Sequence, residues 1–313
     1  VIIAIAARRA ATTRILLDAL LADVAHTFTD TPGDADVVVV LDPGFDLASV
    51  RDGAVIVAYA DDSAIAPATA LLAARVVTFG LSTSADVRAE AIESTIDSTA
   101  FVLVSGAATA PVEVGILGES VVPLVLAALA VAAAAGIPTA DSIAALAPIR
   151  EAAAHDMQVT RPVAGVTVVD DTLDASPRST ADALKALAQF TIDGTRSVAV
   201  LGELDLPAGT DALESRDEHD RIGRLVVRLN VSRLIVVGQS ARHIHNAAGL
   251  EGSWDGESVL VDTLETAYDL LNDTEFSPRD VAPVVLLVKG AASGDLGSLA
   301  DRLALNNQPR RAT

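Results

Sequence analysis

Apolar runs of strand length recur along the chain, separated by stretches just long enough for one helix each. In the first half these runs are residues 1–5 (VIIAI), 35–41 (ADVVVVL), 54–58 and 75–79. The second is ended by Asp42, Pro43 and Gly44, the third is followed by a turn of Asp61, Asp62 and Ser63, and the fourth is broken by Gly80. Residues 12–21 carry apolar positions at helical spacing. Strands that are apolar throughout, rather than alternating, belong to a parallel sheet buried on both faces. Between residues 87 and 114 the pattern changes to short β-favouring pieces such as AFVLVS, divided by Gly, Thr and Pro. This predicts a small antiparallel extension. Helices are predicted at 121–135 and, after Pro138, at 140–146.

Residues 148–162 lack a strong period, contain His155, Asp156 and Met157, and are expected to form the hinge between two domains. The second half then alternates strand and helix. Its organising stretch is GVTVVDDTLDASPRSTADALKAL, residues 165–187. Val166, Val168 and Val169 make a strand, Asp170 and Asp171 end it, and Ser176 followed by Pro177 opens a helix as N-cap and first helical residue. Further strands are predicted at 197–201, 233–237, 258–261 and 284–288, and helices at 180–189, 218–229, 241–248, 263–271 and 296–305. The tail, 306–313, reads as frayed. The expected architecture is therefore α/β: a three-layer parallel-sheet domain (1–157) followed by a Rossmann-like C-terminal domain (158–313).

Composition narrows the chemistry. The 313 residues are 51% apolar but only 3% aromatic, so both cores must be built from Ala, Val, Leu and Ile. A formal charge of −20 provides no basic field for phosphate backbones, which argues against a general nucleic-acid binder. With no cysteine there is no disulfide framework and no thiolate chemistry, as expected for a cytoplasmic protein. No signal peptide is visible. The lack of an initiator Met suggests a start further upstream or a processed N-terminus. The run VVPLVLAALAVAAAAG, 121–136, is short for a bilayer span and fits a buried helix, so no membrane insertion is expected.

Neither a dinucleotide fingerprint nor a Walker A loop follows the early strands. In that place stands AIAARRAATTR, residues 4–14. A phosphate cradle needs Gly, so that successive N–H groups converge on one anion, and a Lys to reach the outer phosphates. Here Ala6, Ala7, Ala10 and Ala11 carry Cβ atoms and Lys is missing. Arg8 and Arg9 can meet an anion near a helix N-terminus, with Thr12 or Thr13 as cap; otherwise this is a plain turn with exposed arginines. Asp170 and Asp171, with Asp174 nearby, either hold a ribose or cation at a strand end or serve as turn and cap residues. Lys289 after the final strand either neutralises a bound anion or is a solvent-facing charge. Glu203 and Asp205 lie at the same predicted edge, and His219 sits on a predicted helix in either a catalytic or a structural role.

Several of these stretches together resemble the Mur ligase family. VVDDTLDASPRST is similar to the family's V-I-D-D-S-Y-N-A-N-P-x-S signature, with Asp170, Asp171, Ala175, Pro177 and Ser179 in place. Leu173, Asp174 and Ser176 replace its Tyr and two Asn. VAVLGEL (198–204) resembles V-L-G-D-M; Glu214, His219 and Gly223 match a spaced Glu, His and Gly; VLLVKG resembles V-L-V-K-G-S-R, with Ala291 and Ala292 for Ser and Arg. AHDMQ (154–158) resembles the G-R-M-Q hinge, with Asp156 for Arg. In the first half the strand and helix frame runs in step with the family's ATPase domain, but the P-loop glycines and Lys are gone. Leu41 or Asp42 stands where a magnesium-binding Glu belongs, and Ser120, Val121 and Leu124 replace the polar residues of the G-x-H-N-x-x-N helix. A counterpart of the UDP-sugar domain is not recognisable.

The resemblance implies the family's central and C-terminal domains, with Asp170, Asp171, Asp174 and Glu203 at a nucleotide or substrate edge, Arg8, Arg9 and Thr12 as anion contacts, and Lys289 and His219 as catalytic candidates. Because the departures all remove phosphate or metal contacts, the expectation is a non-catalytic Mur-ligase-like protein that needs no cofactor and binds a protein partner in bacterial cell-wall synthesis. The alternative is an ATP- and Mg2+-dependent carboxylate–amine ligase acting on a UDP-muramoyl peptide or related substrate.

Overall fold

The computed structural model describes residues 1–43, 45–70, 72–191, 194–252, 254–276 and 282–305; Gly44 and the tail from 306 lie outside these. The backbone forms two compact units, Val1–Ala153 and Ala154–Thr313.

The first unit runs β1 (Ile2–Ala6), α1 (Ala10–Leu20), β2 (Thr27–Thr29), β3 (Val37–Val40), β4 (Val55–Tyr59), α2 (Ile65–Ala70), β5 (Arg75–Gly80), β6 (Val87–Ser94), β7 (Thr99–Ser105), β8 (Ala108–Val114), α3 (Val122–Ala134) and α4 (Thr139–Leu146). Its sheet has the order β2-β1-β3-β4-β5-β6-β7-β8. Pairing is parallel from β2 to β6 and antiparallel across β6, β7 and β8, as the change of pattern at residue 87 predicts. The two elements the pattern does not predict, β2 and α2, span three and six residues, too few to establish a period. Helix α3 packs on α1, β4, β5 and β6 and is buried at ten of its thirteen positions. That enclosure explains a helix apolar on every side, and its alanines let the backbone approach the sheet closely. No helix among the described residues is long and apolar enough to cross a membrane.

The second unit runs β9 (Gln158–Val163), β10 (Val166–Asp170), α5 (Pro177–Phe190), β11 (Arg196–Leu201), α6 (Ala212–Arg228), β12 (Arg233–Val237), α7 (Arg242–Gly249), β13 (Glu257–Val261), α8 (Leu264–Thr274), β14 (Val284–Lys289) and α9 (Leu296–Ala304). The sheet order is β13-β12-β11-β14-β10-β9, parallel except for β9. Strand β9 occupies part of the stretch expected to be a hinge. It is an edge strand, joined to β10 by a tight turn through Gly165 (φ 82°), and only Pro162 of its six residues is buried. An edge position tolerates Pro and needs no apolar face, which is why the sequence pattern conceals it.

Alternation along the strands divides the core. Val166, Val168, Val198, Val200, Leu286 and Val288 pack with Leu271 of α8 and Leu299 and Leu303 of α9. The alternate positions Val169, Ala199, Leu201 and Leu287, also buried, face the layer of α5, α6 and α7. Gly223 of α6 sits where α7 crosses it: a Cβ there would lie 2.3 Å from the Ile244 carbonyl oxygen. The neighbouring strands β10 and β14 feed helices on opposite faces, α5 and α9. Such a reversal opens a crevice beyond the strand ends, the place where α/β sheets bind ligands.

Candidate functional site

Lys289 ends β14 at that reversal, and its side chain is fully enclosed. Its Nζ donates to Asp171 Oδ2, to the Asp171 carbonyl at 2.9 Å and to the Asp174 carbonyl. An ammonium has three N–H donors, and all three are used. Lys289 is therefore not the solvent-facing charge that one sequence reading allows. It fastens the 170–174 loop to β14 and neutralises a buried carboxylate. Asp171 completes the clamp, accepting from Met157 N through Oδ1 (3.2 Å) and donating its own N–H to the Val288 carbonyl.

Asp170 is buried at the end of β10. Its Oδ1 accepts from Thr172 N and Oγ1, at 3.2 and 2.8 Å, and its Oδ2 lies 2.6 Å from His155 Nδ1. That hydrogen bond, opposed by partial burial and reinforced by the negative charges of Asp170 and Asp301, raises the His155 pKa above its ordinary value. Asp174 accepts from Ser176 N (2.9 Å) and Oγ (3.2 Å), while Ser176 Oγ accepts from Ser179 N as the N-cap of α5.

The loops after β11 and β14 close against this one. The Glu203 carbonyl accepts from Ala291 N at 2.8 Å, and Asp205 brackets Ala175 through its backbone N–H and its Oδ2. A Cβ on Gly290 would stand 3.0 Å from the Gly202 Cα, so two glycines allow backbone-to-backbone contact here. His219 is buried on α6, where Nδ1 donates to the Ser215 carbonyl (2.7 Å) and Nε2 accepts from Leu204 N (3.2 Å). One ring nitrogen is held by a carbonyl of its own helix, and the other accepts from the β11 loop. The structure thus brings Asp170, Asp171, Asp174, Glu203 and Lys289 to one edge, with His219 supporting it from below. His155 and Asp301 join that edge from 15 and 131 residues away from Asp170, and no local spacing pattern links them.

The corresponding turn of the first unit, between β1 and α1, is built differently. The N-cap of α1 is Arg9, with no side-chain cap, and Thr12 and Thr13 lie inside the first turn rather than capping it. Thr12 Oγ1 accepts from Ala153 N at 3.0 Å. Arg9 donates to the Ser120 carbonyl at 2.8 Å. Arg8 N donates to Asp42 Oδ2 at 2.6 Å. A carboxylate from the end of β3 thus holds a backbone N–H that a phosphate oxygen would need. With Ala6 and Ala7 buried beside it and no Lys in the turn, these residues do not fit a nucleotide triphosphate with its Mg2+.

Residues 157–291 match the family described as Mur ligase, glutamate ligase domain. The chain is 38% identical over 278 residues to the UDP-N-acetylmuramoyl-tripeptide--D-alanyl-D-alanine ligase of Mycobacterium bovis, covering 83% of this chain and 52% of that protein. It is 42% identical over 205 residues to the ligase of the same name from Mycobacterium leprae, covering 61% and 38%. The chain thus spans about half the length or less of these curated relatives. Among solved structures, MurF from Acinetobacter baumannii superposes with a TM-score of 0.78 at 19% identity, over 97% of this chain and 76% of that one. MurF ligase from Thermotoga maritima, in complex with ADP, gives 0.75 at 17%, over 98% and 80%. At those identities the structures speak for the fold, and the sequence matches carry the relationship: the chain belongs to the Mur ligase family, with the family's C-terminal domain as its second unit.

Proposed function

We propose that this chain takes part in cytoplasmic cell-wall peptide synthesis as a Mur-type ligase, joining an amine to a carboxylate of a UDP-muramoyl peptide or related substrate with ATP and Mg2+. The observation that carries the reading is the edge at the β10–β14 reversal. There the stretch most similar to the family signature, 168–180, is held in one conformation by the buried Lys289. Names and sequence similarity of the mycobacterial relatives support the reaction class. In this reading Lys289 and Asp171 are positioning residues. They fix the loop that offers Asp170, Asp174 and the capped N-terminus of α5 to a ligand, and His219 fixes the facing loop.

A second reading is favoured by the β1–α1 turn. Its misfit to a triphosphate points to a family member that keeps the frame and binds a partner or peptide precursor without turning over ATP. No catalytic step through ATP is derived for this turn. If the chain is a ligase, its phosphates are held outside that cradle, and Arg8 and Arg9 are the cationic side chains of the same turn. Isothermal titration of the full chain with Mg-ATP, with ADP release followed in the presence of D-alanyl-D-alanine and UDP-muramoyl tripeptide, separates the two. Micromolar binding with turnover, both lost on replacing Arg8 and Arg9 together by Ala, supports the ligase. Absence of nucleotide binding with retained binding of the muramoyl peptide overturns it in favour of the second.

A further inference from the structure

The strand-edge network leaves one cluster with a different chemistry. The ligand atoms of His155, Asp170 and Asp301 all lie within 4.8 Å of one another, and the three residues come from the turn before β9, the end of β10 and the far half of α9. Their convergence is built in. Gly297 lies one turn before Asp301 on the same helix face, and a Cβ there would stand 3.2 Å from Thr172 Oγ1 and 3.4 Å from His155 Cε1. The missing side chain lets α9 come up against the imidazole. Thr172 occupies Oδ1 of Asp170 through two hydrogen bonds and so turns Oδ2 toward the cluster. Support of this kind orients metal-binding carboxylates. Asp301 has no ion-pair partner in Lys or Arg among the described residues.

Two carboxylates and an imidazole carry two negative charges when the ring is neutral, which a divalent ion balances. One nitrogen and two carboxylate oxygens suit a borderline ion of the zinc type; Mg2+ and Ca2+ prefer all-oxygen sets. We propose that His155, Asp170 and Asp301 form a Zn2+ site whose remaining coordination is completed by water. Binding replaces the hydrogen bond between His155 Nδ1 and Asp170 Oδ2 by bonds to the metal, with the remaining imidazole proton on Nε2. The site is drawn from the second unit alone and shares Asp170 with the edge that the proposed function offers to a ligand.

The test is equilibrium dialysis of the full chain against ZnCl2, with MgCl2 as the contrast and bound metal read by atomic emission. Wild type is expected to take up Zn2+ saturably at one ion per chain in preference to Mg2+. Asp301→Asn, an exposed change, and His155→Gln should each weaken uptake by about tenfold or more, while His243→Gln should leave it unchanged. Circular dichroism of each variant establishes that it is folded. Uptake in which Asp301→Asn and His155→Gln match wild type, or in which Mg2+ competes on equal terms, overturns the site, as does the absence of saturable uptake by folded wild type.

Discussion

Both β1 and β10 are apolar parallel strands that hand over to a helix at their carboxyl ends, and in both turns a carboxylate of the chain accepts from a backbone N–H. At β10 the acids belong to the turn itself. They are buried, and they are matched by a buried cation, Lys289, and a serine cap on α5. At β1 the acid is Asp42 from the neighbouring strand, α1 has no side-chain cap, and Arg8 reaches outward. The frame is the same while the electrostatics differ. A strand–turn–helix unit becomes a binding site according to where its polar groups are spent, and at the second turn the enclosed Lys289 supplies a counter-charge that makes burial of its acids favourable.

The comparison breaks most readily at Lys289. Lys289→Met removes the ammonium donor from Asp171 Oδ2 and two carbonyls, and should cost about 3–5 kcal/mol. Urea denaturation followed by circular dichroism measures this, and a comparable loss from Arg8→Ala, expected to stay within about 0.5 kcal/mol, would erase the distinction between the turns. The caps give a smaller contrast. Ser176→Ala should cost about 1 kcal/mol, read as a shift of the denaturation midpoint. The smallest effect sharpens the role of His155. Its raised pKa means the folded state holds the proton more tightly than the unfolded chain. The stabilisation is therefore complete below the ordinary value of about 6.5 and is lost as pH rises through the raised folded value. In metal-free buffer, the stability difference between wild type and His155→Gln should shrink across that window. His26, raised chiefly by its bond to the Val24 carbonyl and then by Asp18, contributes the same trend in the first unit, and the difference measurement removes it.

Much of this was legible along the chain. The parallel strands, the switch to an antiparallel meander near residue 87, the wholly apolar α3 and the Ser176–Pro177 start of α5 all follow from local pattern and capping chemistry. The edge positions of Asp170, Asp171 and Lys289 followed from strand ends alone. Their bonding did not: Lys289 looked equally suited to solvent or to a bound anion, and it is enclosed on the protein's own Asp171 carboxylate and two carbonyls. Strand β9 escaped because half of its six residues are polar and it carries a Pro, and its partner lies across a turn. His219, a helical histidine of a kind more often structural than catalytic, has partners for both ring nitrogens.

The order of residues, through periodicity and turn chemistry, determined the α/β class and the alternation of elements. The tertiary structure decided which charges meet. It seated Asp42 on the Arg8 amide, enclosed Lys289 among three acceptors, and drew His155, Asp170 and Asp301 into one cluster. Backbone preference acts over a few neighbouring residues, whereas burial and Coulomb attraction act through space, between groups that only the folded sheet brings within a few ångströms.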